Sequence, residues 1–116
     1  MTENLIFTHI QSILNSNDIV LFMKGTKDMP MCGFSGIVTH ILRQHGVEFK
    51  DINVLDNFEI REGIKEYANW PTLPQLYIRG EFIGGCDIVR EMNESGELSE
   101  VLRQKGIHTS NALDSQ

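Results

Sequence analysis

Five consecutive apolar residues, Ile19 to Met23, stand between the polar run Ser16-Asn17-Asp18 and a polar loop that opens at Lys24. No other stretch restricts the fold as much. The run is too short for an independent helix, and a helix would bury only one stripe of it. A strand covered on both faces buries all five side chains. The chain must therefore supply helices to both sides of a sheet, and its flanking segments do so. Ile6, Ile10, Ile13 and Leu14 recur at helical spacing and predict a helix over 3–16. Ile37, Val38, Ile41 and Leu42 predict a second helix from Gly33, closed by Gly46.

The remaining elements follow from the same patterns. Val47 to Val54 (VEFKDINV) predicts a strand, and Ile60, Ile64, Tyr67 and Ala68 mark a third helix. Trp70 to Pro74 (WPTLP) holds two prolines and cannot be helical. Gln75 to Ile78, a turn at Arg79-Gly80-Glu81 and Phe82 to Gly85 predict a hairpin. Ile88, Val89 and Met92 suggest a helix after Gly85 that ends near Gly96, and Leu98, Val101 and Leu102 a last short one. Residues 106–116 are polar and read as a flexible tail, which leaves one domain over 1–105. A strand–helix–strand unit followed by a hairpin implies a mixed sheet with helices on both faces, so the class is α/β.

Composition excludes several functions. No apolar run approaches the roughly 18 residues of a membrane span. The first basic residue is Lys24, which fits neither a secretory signal nor a transit peptide, and the expected location is cytoplasmic. A net charge of −6 argues against nucleic acid, whose phosphates require a surplus of Lys and Arg. The two cysteines, Cys32 and Cys86, are too few for a disulfide framework. Any cysteine function is then redox or metal chemistry. His9, His40, His45 and His108 are scattered without zinc-ligand spacing.

Cys32 follows the buried strand and its loop and leads directly into a helix, where amide dipoles stabilise a thiolate. A core cysteine would sit within the apolar stripe; this one precedes it. Ser35 occupies the position where a Cys-x-x-Cys motif carries its second thiol, so Cys32 cannot close a local disulfide. Lys24, at the end of the first strand, gains meaning beside a thiolate as a cation for it or for an anionic ligand. A cis Leu73–Pro74 bond would expose the Leu73 backbone to an extended peptide. Gly84 and Gly85 permit close approach of a ligand to the helix opened by Cys86 and Asp87, although a plain turn fits these residues as well.

In order and spacing, the segments KGTKDMPMCGFS (24–35), NWPTLPQLYI (69–78) and GGCDI (84–88) resemble the monothiol glutaredoxins of the CGFS class, over about residues 3 to 105. The resemblance implies a thioredoxin-like fold, a four-stranded mixed sheet flanked by about five helices. It also implies glutathione as ligand. Cys32 would be the active thiol and the protein's metal ligand, with Gly33 and Phe34 shaping its loop. Lys24 and Arg61 would hold the glycine carboxylate of glutathione. Leu73, ahead of Pro74, would pair its backbone with the cysteinyl part. Cys86 and Asp87 would take the γ-glutamyl end.

A [2Fe–2S] cluster takes four soft ligands. One thiol per chain with one glutathione each implies a cluster-bridged homodimer. The implied role is carrying such clusters in iron–sulfur assembly and iron homeostasis, with a BolA-like partner and recipient iron–sulfur apoproteins. Two alternatives stay open. One is a glutathione-dependent oxidoreductase of low activity that removes glutathione from proteins. The other is an interaction domain with an inert Cys32. Pairing of Cys32 with Cys86 is also open. The chain departs from the family loop at Lys27, where a proline is common, and the loss of that ring should loosen the loop before Cys32.

Overall fold

The five-residue apolar run forms β1 (Ile19–Met23), and every one of its side chains is buried. The computed structural model describes residues 2–109 of the chain. In order, the elements around β1 are α1 (Thr2–Ser16), α2 (Gly33–Gln44), β2 (Lys50–Asn53), α3 (Phe58–Ala68), β3 (Gln75–Ile78), β4 (Glu81–Gly84), α4 (Cys86–Ser95) and α5 (Glu97–Gln104). The strands make one mixed sheet in the order β2-β1-β3-β4. The β1–β2 pair is parallel, and β3 is antiparallel to both β1 and β4. This is the four-stranded sheet with five helices that the sequence implies.

Alternation along β1 divides the core in two. Ile19, Leu21 and Met23 face a cluster with Val38, Leu42, Val89, Leu98 and Leu102 from α2, α4 and α5. Val20 and Phe22 face Ile10, Leu14, Ile60 and Ile64 from α1 and α3. Each such side chain contributes about 1.5–3 kcal/mol when fully buried, so a central strand used on both faces anchors both helical layers. Asn57 starts α3 by accepting the Ile60 N–H at 3.0 Å. Asn69 ends it in the left-handed region, at φ 52.

One boundary differs from the sequence expectation. The strand expected over 47–54 pairs only at Lys50–Asn53. Val47 and Phe49 are nevertheless buried in the core, so the apolar pattern there reports packing of a connecting segment rather than ladder pairing. Most of the expected tail lies outside the described residues. Within the described part, the Ile107 N–H bonds the Leu102 carbonyl at 2.9 Å and its side chain packs on the core.

Candidate active site

The site is built where the loop after β1 turns into α2. Cys32 is the N-cap of α2, with extended backbone and no capping bond from its own side chain. The first-turn N–H groups of a helix have no partners within it, and here they act on the sulfur. The backbone N–H of Ser35 does most to hold the Cys32 thiol below its ordinary range. Partial burial opposes this, while the Phe34 N–H, the Lys24 charge and the Ser35 hydroxyl add to it. Ser35 is fully buried and its Oγ also accepts the Lys24 N–H at 3.1 Å, which ties the strand end to the helix start. It is therefore more than a first-turn filler.

The loop leading to Cys32 is held at several points. The Gly25 N–H bonds Asn53 Oδ1 at 2.9 Å, and the Met31 N–H bonds the Lys24 carbonyl at 2.9 Å. Thr26 and Met29 exchange backbone hydrogen bonds at 3.1 and 3.0 Å. Lys27, expected to loosen this loop, instead fastens it. Its N–H bonds Asp51 Oδ2 at 2.8 Å and its Nζ bonds the Phe49 carbonyl at 2.7 Å. Past the loop, Met31 and Phe34 flank the half-exposed thiol with 64% and 58% of their surface open, an apolar rim that a partner could cover.

A groove of about 230 Å³ lies beside Phe34, lined also by Trp70, Thr72, Leu73, Pro74, Gly85, Cys86, Asp87 and Ile88. Five of the sequence-assigned residues thus meet in one place. The Leu73–Pro74 bond is cis. Gly85 lets the start of α4 approach closely, since a Cβ there would come within 3.3 Å of the Pro74 carbonyl oxygen and 3.4 Å of Trp70 Nε1. Cys32, Lys24, Gly33 and Arg61 do not line this groove, whose Phe34 end stands two residues from the thiol. Arg61 sits half-buried on α3, and its Nε has no hydrogen-bond partner. Cys86 is a free, buried thiol, pushed up chiefly by that burial. No disulfide joins it to Cys32.

Trp70, Thr72, Ile88 and Gln75 are not assigned by sequence reasoning alone. Trp70 forms a wall of the groove, its ring 5.5 Å from that of Phe82. Gln75 is fully buried, and its amide donates to the carbonyls of Trp70 and Thr72 at 3.1 and 3.2 Å. It fixes the wall from behind. A polar residue opening an otherwise apolar strand is the signal that could have revealed it.

A family model for glutaredoxins matches residues 19–83, the span from β1 through most of β4. "Probable monothiol glutaredoxin 2" of Rickettsia typhi is 54% identical over 105 residues, covering 90% of this chain and 95% of that protein. The chain belongs to the glutaredoxin family. A Synechocystis relative, "Uncharacterized monothiol glutaredoxin ycf64-like", is 53% identical over 93 residues, covering 80% of this chain and 87% of the other. The crystal structure of a buckwheat glutaredoxin–glutathione complex superposes with a TM-score of 0.79 at 28% identity, covering 90% of this chain and 93% of that one. A glutaredoxin with Ser35 in the second motif position is a monothiol one, as its relatives are named.

The two thiols should separate cleanly with pH. A lowered pKa populates the thiolate at lower pH, and the thiolate is the nucleophile. Alkylation of Cys32 by iodoacetamide should therefore rise through a midpoint below the ordinary thiol range, and that of Cys86 above it. Ser35→Ala should move the Cys32 midpoint up only part of the way, because the backbone N–H, the larger influence, remains. Mass spectrometry of each cysteine across pH checks both statements, and coincident midpoints would contradict them.

Proposed function

We propose that this glutaredoxin binds glutathione and carries [2Fe–2S] clusters. The observation that carries the reading is Cys32 itself, an activated and half-exposed thiol whose helix supplies a hydrogen-bonded serine, not a second thiol, one turn on. Among the described residues no three His, Cys, Asp or Glu side chains group to hold a metal. One chain thus offers a cluster one thiolate. Glutathione bound beside Cys32 would add a second, and another chain with its own glutathione would complete the four. The homodimer forms through its cargo. Ligands that are half small molecules leave easily, which suits a carrier passing clusters to apoproteins in iron–sulfur assembly and iron homeostasis, or working with a BolA-like partner, in the cytoplasm.

In this reading the groove takes one end of a short peptide, with Asp87 its one charged side chain, and Lys24 and Arg61 outside the groove serve the other end. Leu73 offers backbone to the cysteinyl part. The first amides of α4, after Gly85, accept a carboxylate, and Asp87 balances an ammonium. Lys24 is the cation beside the thiol. The Nε of Arg61 lacks an acceptor, which an anionic ligand could help satisfy. The glutathione complex of the buckwheat relative supports the same choice.

The lowered Cys32 pKa favours a second reading, glutathione-dependent thiol exchange. The Cys32 thiolate would attack the glutathione sulfur of a glutathionylated protein and release the protein thiolate. A second glutathione would then attack the new mixed disulfide, leaving as oxidised glutathione and restoring Cys32.

Anaerobic reconstitution with iron, sulfide and glutathione decides between them, with Cys32→Ala in parallel. The expected result is a coloured, glutathione-dependent dimer by absorption and sizing, lost in the variant. A colourless monomer that still deglutathionylates a protein would favour the exchange enzyme.

A further inference from the structure

We propose that Lys27 is a positioning residue, which clamps the loop before Cys32 to strand β2 and thereby sets how long a bound cluster survives. The second half of this statement rests on the cluster reading above; the clamp does not. Lys27 makes three contacts with the β2 side of the molecule. Its N–H donates to Asp51 Oδ2 at 2.8 Å, its Nζ donates to the Phe49 carbonyl at 2.7 Å, and its ammonium lies 4.8 Å from the Phe49 ring centroid. Phe49 is buried in the core and Asp51 pairs with Leu21 of β1, so both anchors are fixed parts of the fold. The backbone contact needs a residue with an N–H, which a proline at this position would lack.

The clamp acts at the tip of an excursion whose base is fastened separately. Gly25 and Met31 close the base through Asn53 and the Lys24 carbonyl. At the tip, Lys27 works beside an Asp28–Arg43 pair of 2.8 Å, whose side chains are 86% and 51% exposed. Such an exposed pair holds little, so Lys27 carries the tip. The segment it holds continues through the exposed Met29 to Met31 and then to the thiol. The Lys27 charge is not among the influences on Cys32, whereas that of Lys24 is. Its effect therefore runs through position. A tip fixed on β2 keeps the rim in one place against a second chain, and a loose tip would let water and competing thiols reach the ligands.

The test compares Lys27→Met, which keeps length but loses donor and charge, with Lys27→Arg, which keeps both. Three quantities are read on the full chain: amide hydrogen exchange, thermal midpoint, and cluster decay on the reconstituted dimer. In Lys27→Met the amides of Lys27 and Met29 should exchange about tenfold faster, the scale of one charge-assisted hydrogen bond. The thermal midpoint should fall by only a few degrees, about what one hydrogen bond is worth, and the cluster should decay several-fold faster. Lys27→Arg should restore most of both effects. Unchanged exchange at Lys27 and Met29 would overturn the clamp. Faster exchange with unaltered cluster decay would overturn the positioning role, as would faster exchange spread over the whole chain with a larger fall in thermal midpoint. If the parent protein holds no cluster, the carrier reading fails and amide exchange alone decides the clamp.

Discussion

A Ser35→Cys variant should oxidise within the first turn of α2, where the parent protein has only one thiol. Residues three apart at a helix start lie on one face, and the Ser35 hydroxyl already acts on the Cys32 sulfur. A thiol in its place is therefore within reach. Diamide would take up two hydrogens at its N=N bond as the S–S bond forms. The variant carries one thiol more than the two of the parent, and after oxidation the Cys86 thiol alone should remain titratable. The parent, diluted enough to prevent pairing between chains, has no thiol at position 35 and should form no disulfide within the first turn of α2. The larger sulfur in a fully buried position should cost about 1 kcal/mol, far too little to hide the effect. If all thiols remain titratable after diamide, the first turn of α2 does not bring the two positions together.

The element order was legible because the chain repeats one physical device. Short apolar runs bounded by turn residues can be buried on both faces only as strands, and β1 and β3 are so buried. Cys32 was legible because a thiol placed just ahead of an apolar stripe lies at a helix start. The groove was only half legible. Leu73, Pro74, Cys86 and Asp87 stand beside punctuation that sequence shows directly, the prolines and the glycine pair. Trp70 and Gln75 act through contacts across a folded loop, and nothing in their spacing reports an amide donating back to two carbonyls. Lys27 misled for a related reason. Proline stiffens a loop from within, a property visible in the sequence, whereas Lys27 stiffens it by reaching a strand more than twenty positions away. Even β2 follows this pattern, since burial of Val47 and Phe49 in a connecting segment mimics the run of a strand.

The loop that presents the thiol should fail most sharply at Gly25. This residue has φ +92, and a Cβ added to it would lie 2.5 Å from both the Met29 carbonyl oxygen and the Met31 nitrogen. Both are backbone atoms of a turn closed by its own hydrogen bonds, so neither can swing aside as a side-chain tip could. A Gly25→Val chain has two options. Keeping the loop means accepting an unfavourable backbone region, about 1–3 kcal/mol, together with contacts far inside van der Waals range. Opening the loop instead gives up the bonds of Gly25 to Asn53, Met31 to Lys24 and the Thr26–Met29 pair. At about 1 kcal/mol for each of these four bonds, opening is the less costly course, and stability should fall by roughly 4 kcal/mol. For a domain of this size that lowers the thermal midpoint by on the order of 10 °C. Gly33→Ala is the matched control, because a Cβ there meets nothing within 4 Å; it should stay within about 0.5 kcal/mol of the parent. Thermal unfolding of the two variants, read beside iodoacetamide labelling of Cys32, separates the outcomes. An opened loop lowers the midpoint and changes the labelling rate together, whereas a Gly25→Val protein that melts and labels like the parent would show that the loop accommodates a side chain.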